Sequence, residues 1–143
     1  MLETEPQIIR NYVATGKVKL IYRHLVQLGD GSLRTAEASE CAADQGRFWL
    51  MHDLLYARQD AIYSTADLDA TLVGFARDLH LDTAAFGRCM QAQTHRAAVL
   101  ADNQAAQAAG IRGRPVFDIN GTRLVGAQPF SAFQRVIDTA HSR

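Results

Sequence analysis

The feature that most constrains the fold is a change of hydrophobic period along the chain. Between about residues 31 and 109 apolar side chains recur at helical spacing. On either side lie short, partly β-branched runs, Val18–Leu25 before the block and Pro115–Ile119 with Thr122–Gly126 after it. Val18-Lys19-Leu20-Ile21-Tyr22-Arg23-His24-Leu25 is apolar on both faces at its centre, the pattern of a strand covered on both sides of a sheet. Asn120-Gly121 separates the two later runs. That dipeptide tolerates the positive φ angles of a two-residue hairpin. A chain ordered this way builds a small sheet from segments distant in sequence and places an all-helical block between them.

Local signals mark the helices. Thr4 as N-cap, Pro6 in the first turn and Gln7 as a capping-box partner open one that carries Ile8, Ile9, Tyr12 and Val13 and ends at Gly16. Gln27–Ser32, with Gly29-Asp30-Gly31, reads as a loop. Within the block, a helix through Thr35–Ala43 stops near Gly46, and a second carries Phe48, Trp49, Met51, His52, Leu54, Leu55 and Tyr56. Ser64 with Asp67 opens a third, along the stripe Leu68, Leu72, Phe75, Ala76 and Leu79. Asp82 caps a fourth through Phe86, Cys89 and Met90, and an alanine-rich fifth runs from about Thr94 to Ala109 before Gly110. Pro129 leads into a last amphipathic helix with Phe130, Phe133, Val136 and Ile137. No repeat or linker interrupts the chain. One domain over 1–143 is therefore expected, with 1–30 and 110–143 as the sheet-bearing part and 31–109 as the helical insertion.

The 143 residues suffice for one hydrophobic core. Fifteen basic residues balance fifteen acidic ones, so nothing electrostatic favours nucleic acid or an anionic membrane. No apolar run approaches the ~20 residues of a membrane span. Met1-Leu2-Glu3-Thr4-Glu5 has neither the basic nor the apolar region of an export signal, which places the chain as written in the cytoplasm. A longer native N-terminus would place it outside the cytoplasm. No motif implies a cofactor.

The two cysteines, Cys41 and Cys89, are far apart, and no Cys-x-x-Cys occurs. That removes both the local dithiol motif and the paired-knuckle zinc motif. Buried free thiols, a bridge and a redox pair all remain open, although neither cysteine sits at a predicted helix N-terminus that would lower its pKa. A zinc site drawing on these cysteines and two histidines has no spacing to support it. His52 reads as a core or interface histidine, and His80, His95 and His141 as surface residues. Phe48, Trp49, Phe75 and Phe86 read as core.

Four stretches together carry a resemblance. They are Tyr12–Val18, Ala38–Tyr56, Gly110-Ile111-Arg112-Gly113-Arg114-Pro115-Val116-Phe117 and Ile119-Asn120-Gly121, followed by Val125-Gly126-Ala127-Gln128-Pro129-Phe130. In this order they closely resemble DsbA-like thiol–disulfide oxidoreductases over nearly the whole chain. The resemblance implies an α/β thioredoxin-like fold with an inserted helical subdomain. It further implies a cis-proline at Pro115 and a substrate groove at Arg114, Pro115 and Val116, with His24 near its edge. It also suggests a structural disulfide between Cys41 and Cys89, like the second bridge of some members.

The departures from the family matter as much. Met1 falls a few residues past the place of the second cysteine of the family's Cys-Pro-x-Cys, so the first strand and the catalytic turn are missing from this sequence. Arg114 stands where the family has a small or β-branched residue. Without a motif thiolate, exchange has no attacking group, and no catalytic residue is assigned. The expected partners are polypeptide substrates or a redox protein, and a homodimer that covers the edge left by the missing strand. The alternative is a redox-dead peptide- or protein-binding module that keeps the cis-proline groove.

Overall fold

A computed structural model describes residues 3–142. The chain divides into two compact units, one taking in the chain up to Arg23 and again from Ala106 onward, the other His24–Ala105.

In the first unit, helix α1 (Thr4–Ile8) runs into a π-helical turn, Ile9–Val13. Glu3, not Thr4, takes the N-cap position, and no side chain caps it. Gln7 instead donates its amide to the Glu3 carbonyl at 3.0 Å. Gly16 adopts φ +73°, the left-handed conformation that ends such a helix at little cost to glycine. Strands β1 (Val116–Ile119) and β2 (Thr122–Val125) form an antiparallel hairpin, with Phe117 opposite Leu124. Asn120 and Gly121 both have positive φ, as the two-residue turn requires, and the Asp118 carboxylate accepts the Gly121 N–H at 2.8 Å.

The closing helix of this unit, designated α8 (Phe130–His141), covers one face of the hairpin. Phe117 and Phe133 meet edge to face at 4.7 Å between centroids. Ile8, Tyr12, Phe133 and Ile137 form the small core. Val125 projects from the hairpin's opposite face and is 60% exposed.

The expected strand over Val18–Leu25 is not formed. Among the described residues the sheet has two strands, β1 and β2. The backbone nonetheless finds acceptors. The N–H groups of His24 and Val26 are bound by the side chains of Asp102 at 3.1 Å and Asn103 at 3.0 Å. Buried polar backbone must be satisfied somewhere, and at this end of the stretch helix side chains do it for these two N–H groups.

The second unit is all helical: α2 (Gly29–Ala43), α3 (Phe48–Ala57), α4 (Gln59–Ser64), α5 (Leu68–Asp78), α6 (Thr83–Ala92) and α7, which starts at Arg96 and runs to Ala108. Gly29-Asp30-Gly31 belongs to the first turn of α2 and not to a loop. Asp67 and Asp82 cap α5 and α6, accepting the N–H groups of Ala70 and Ala85. Ala38, Ala42, Met51, Leu72, Ala76 and Phe86 are fully buried at the centre. The alanines let α2 and α5 approach closely around the larger side chains.

Candidate functional site

Each unit holds one of the places marked by the sequence. In the sheet-bearing unit, the Arg114–Pro115 peptide is cis and leads directly into β1. The Pro115 carbonyl accepts the Gly126 N–H at 2.9 Å. Residues of an antiparallel strand point their backbone groups alternately toward and away from the neighbour. With Pro115, Phe117 and Ile119 turned toward β2, the backbone groups of Arg114, Val116 and Asp118 face the opposite edge. Among the described residues no second strand covers that edge. Arg114 is exposed, and Pro115 and Val116 are half-buried.

In the helical unit, Cys41 and Cys89 are joined in a disulfide, with Cα atoms 5.9 Å apart. The bond ties the later turns of α2 and α6 together. Cys41 is 2% exposed, whereas Cys89 is half-buried. Beside the bond lies His95, which the sequence reading assigned to the surface. Its Nε2 is 2.8 Å from the Asp44 carboxylate, which also lies 3.7 Å from Cys89 Sγ.

The reason is local. Gln93 adopts a left-handed φ of +53° and ends α6, and the Thr94 N–H returns to the Cys89 carbonyl at 3.2 Å. The chain therefore doubles back and sets His95 next to Cys89. The donor atoms of Cys41, Cys89 and His95 all lie within 4.8 Å of one another. Sequence spacing could not show this grouping, because Cys41 arrives from a different helix.

Two further polar groups are built into this unit. Glu37 is 1% exposed and accepts from Arg34 at 2.9 Å and from Arg96 at 3.0 Å. Its hydrogen bond raises the Arg96 guanidinium above its ordinary range. The Asp69 carboxylate takes the other side of Arg34, at 2.8 Å. Glu37 escaped the sequence reading, since nothing local marks a glutamate on a helix as buried. His24 is 5% exposed and lies 2.6 Å from Glu40. His52 is buried, as read, stacks with Phe48 and packs at a tilt against Tyr56. Phe75 and Phe86 are core as read, but Trp49 is 38% exposed at the edge of this aromatic group.

A hairpin covered by a C-terminal helix, a cis-proline at its entry and an all-helical insertion define a DsbA-like thioredoxin fold. The chain belongs to the thioredoxin family, whose model, described as Thioredoxin, matches residues 1–139. It is similar in structure to the crystal structure of Wolbachia pipientis alpha-DsbA1, with a TM-score of 0.81 and 24% identity, covering 97% of this chain and 76% of that one. A thioredoxin-like oxidoreductase from Silicibacter pomeroyi is 26% identical with a TM-score of 0.73, over 99% of this chain and 78% of that one. Among curated proteins, "Na(+)/H(+) antiporter NhaA 3" of Salinispora tropica is 31% identical over 140 residues, which is 96% of this chain and 21% of that protein. "Na(+)/H(+) antiporter NhaA 1" of Salinispora arenicola is 29% identical over the same share of each. The chain thus spans about a fifth of the length of these curated relatives.

Proposed function

We propose that these residues form a polypeptide-binding thioredoxin-fold module that does not by itself exchange disulfides. The single observation that carries this reading is the open edge of β1. There the backbone groups of Arg114, Val116 and Asp118 have no strand partner among the described residues. An extended peptide added to that edge would satisfy those groups, the usual physics of strand addition. Arg114 adds a cation that favours acidic residues in such a peptide. The family-level activity is thiol–disulfide exchange, but it needs a thiolate beside this groove. The only cysteines in the sequence are Cys41 and Cys89, and they are bonded to each other within the helical unit.

A disulfide of this kind persists in an oxidising compartment, which supports an extracytoplasmic setting. The antiporter relatives support a module that works as one part of a larger membrane-associated protein. No helix among the described residues is long and apolar enough to cross a membrane, so ion antiport would need residues beyond these.

Titration of 15N-labelled protein with a reduced, carboxymethylated polypeptide tests the reading. The expected result is chemical-shift change centred on residues 114–118, with slowed hydrogen exchange at the Val116 and Asp118 amides. Binding that leaves those amides unaffected, or no binding at millimolar peptide, would refute it.

A further inference from the structure

We propose that Cys41, Cys89 and His95 form a redox-gated site for a thiophilic divalent metal ion of the Zn2+ type, closed while the disulfide stands and opened by a dithiol reductant. This inference is independent of the peptide-binding reading, because it concerns only the helical unit.

Two cysteines and one histidine make a donor set that suits zinc. Here the three donor atoms already lie within 4.8 Å of one another, on backbone fixed by α2, by α6 and by the turn at Gln93. Zn–S bonds of about 2.3 Å at a tetrahedral angle require sulfurs about 3.8 Å apart. Rotation of the two cysteine side chains provides that separation once the bond between them is cut, with the helices left in place.

Asp44 supplies what a metal-binding imidazole needs behind it. Its carboxylate lies 2.8 Å from His95 Nε2, so the ring would offer its other nitrogen, Nδ1, to the metal. Such a carboxylate fixes the ring's tautomer and orientation. The side chains of His95 and Asp44 are 22% and 51% exposed, so an ion can enter from that side and keep a water as its fourth ligand.

The chemistry balances in two steps. An external dithiol passes two electrons and two protons to the Cys41–Cys89 bond, leaving two protein thiols and becoming a disulfide itself. The metal ion then displaces the two thiol protons to solvent and binds both thiolates. An external disulfide reverses the sequence: it takes two electrons from the two thiolates, leaves as a dithiol with two protons from solvent, and the Cys41–Cys89 bond re-forms and ejects the ion.

Cobalt chloride is the probe, added to protein reduced with a phosphine, which takes the oxygen of one water molecule while that water's hydrogens go to the two thiols. Reduced protein is expected to bind one Co2+, seen as a thiolate-to-cobalt charge-transfer band that Zn2+ abolishes. The oxidised protein is expected to show no such band. Asp44→Asn should weaken binding on the order of 10–100-fold while both thiols remain titratable. His95→Ala should weaken it further. Folded, reduced protein that shows no band overturns the proposal. So does equal binding by His95→Ala, which would mark a dithiol acting alone. Loss of helical circular dichroism on reduction that Zn2+ does not restore overturns it as well.

Discussion

The Cys41 and Cys89 sulfurs are bonded, and their Cα atoms lie 5.9 Å apart although 48 residues separate them. A cross-link of that span removes loop-closure entropy from the unfolded chain worth about 4 kcal/mol, an upper figure that native strain lowers. Reduction, or replacement of both cysteines by alanine, is therefore expected to cost about 2–4 kcal/mol. Urea unfolding with and without a phosphine reductant measures it. An unchanged midpoint in fully reduced protein would show that the bond contributes nothing.

Glu37→Gln is expected to destabilise the helical unit by about 2–3 kcal/mol, since it leaves the Arg34 and Arg96 guanidiniums beside a neutral amide at a site 1% exposed. The cost stays below that of a wholly buried pair because both arginines retain some contact with solvent. The restoring test is a double variant that also removes Arg96. If Glu37→Gln alone costs less than half a kilocalorie per mole, the network is decorative.

Tyr12 gives the other unit a pH dependence at the alkaline end. Burial first, and then the hydrogen bond its hydroxyl donates to Asp138 at 2.8 Å, raise its pKa above the ordinary 10.0. The folded state thus holds its proton longer than the unfolded state does. That stabilisation is fully present below about pH 10 and is lost as pH rises through the higher folded value. Tyr12→Phe should cost about 1 kcal/mol at neutral pH and flatten the alkaline decline. Equal alkaline profiles for the two proteins would remove Tyr12 as its source.

These residues alone are expected to give no turnover in an insulin-reduction assay or with a thiol-oxidase substrate. Turnover that disappears in Cys41→Ala or Cys89→Ala would assign redox activity to the helical unit and overturn the expectation.

Exposed apolar side chains also bear on assembly, Val125 on the hairpin and Ile21 in the stretch before the helical unit. Val125 and Ile21 are 60% and 59% exposed. Burying such apolar surface yields about 25 cal/mol per Å2, which favours self-association when no other chain is present. We expect a homodimer by size-exclusion chromatography with light scattering, dissociated by Val125→Lys. A monomer at micromolar concentration would sink this.

Local chemistry made much of the fold legible from residues alone. Asp82 announced α6 because a cap needs only a carboxylate and an N–H three residues later, whereas α5 is capped by Asp67, and Ser64, read as its opening residue, ends α4. Asn120-Gly121 announced the hairpin because positive φ is a property of those residues themselves. Pro115 and its surrounding glycines and arginines were likewise readable through family likeness. The Val18–Leu25 stretch shows the limit. Its partly β-branched pattern is that of a strand, but strand formation depends on a neighbour, and the His24 N–H near its end goes to Asp102 instead.

The sequence by itself thus determined the helical block, the cap at Asp82, the hairpin and the absence of any Cys-x-x-Cys among its residues. Only the tertiary structure decided that Glu37 is buried between two arginines and that Cys41, Cys89 and His95 converge. Caps and turns are set within four or so residues, where sequence distance equals spatial distance. A convergence of α2 with the end of α6 depends on how whole helices pack around Phe86 and Met51, and no local pattern records that.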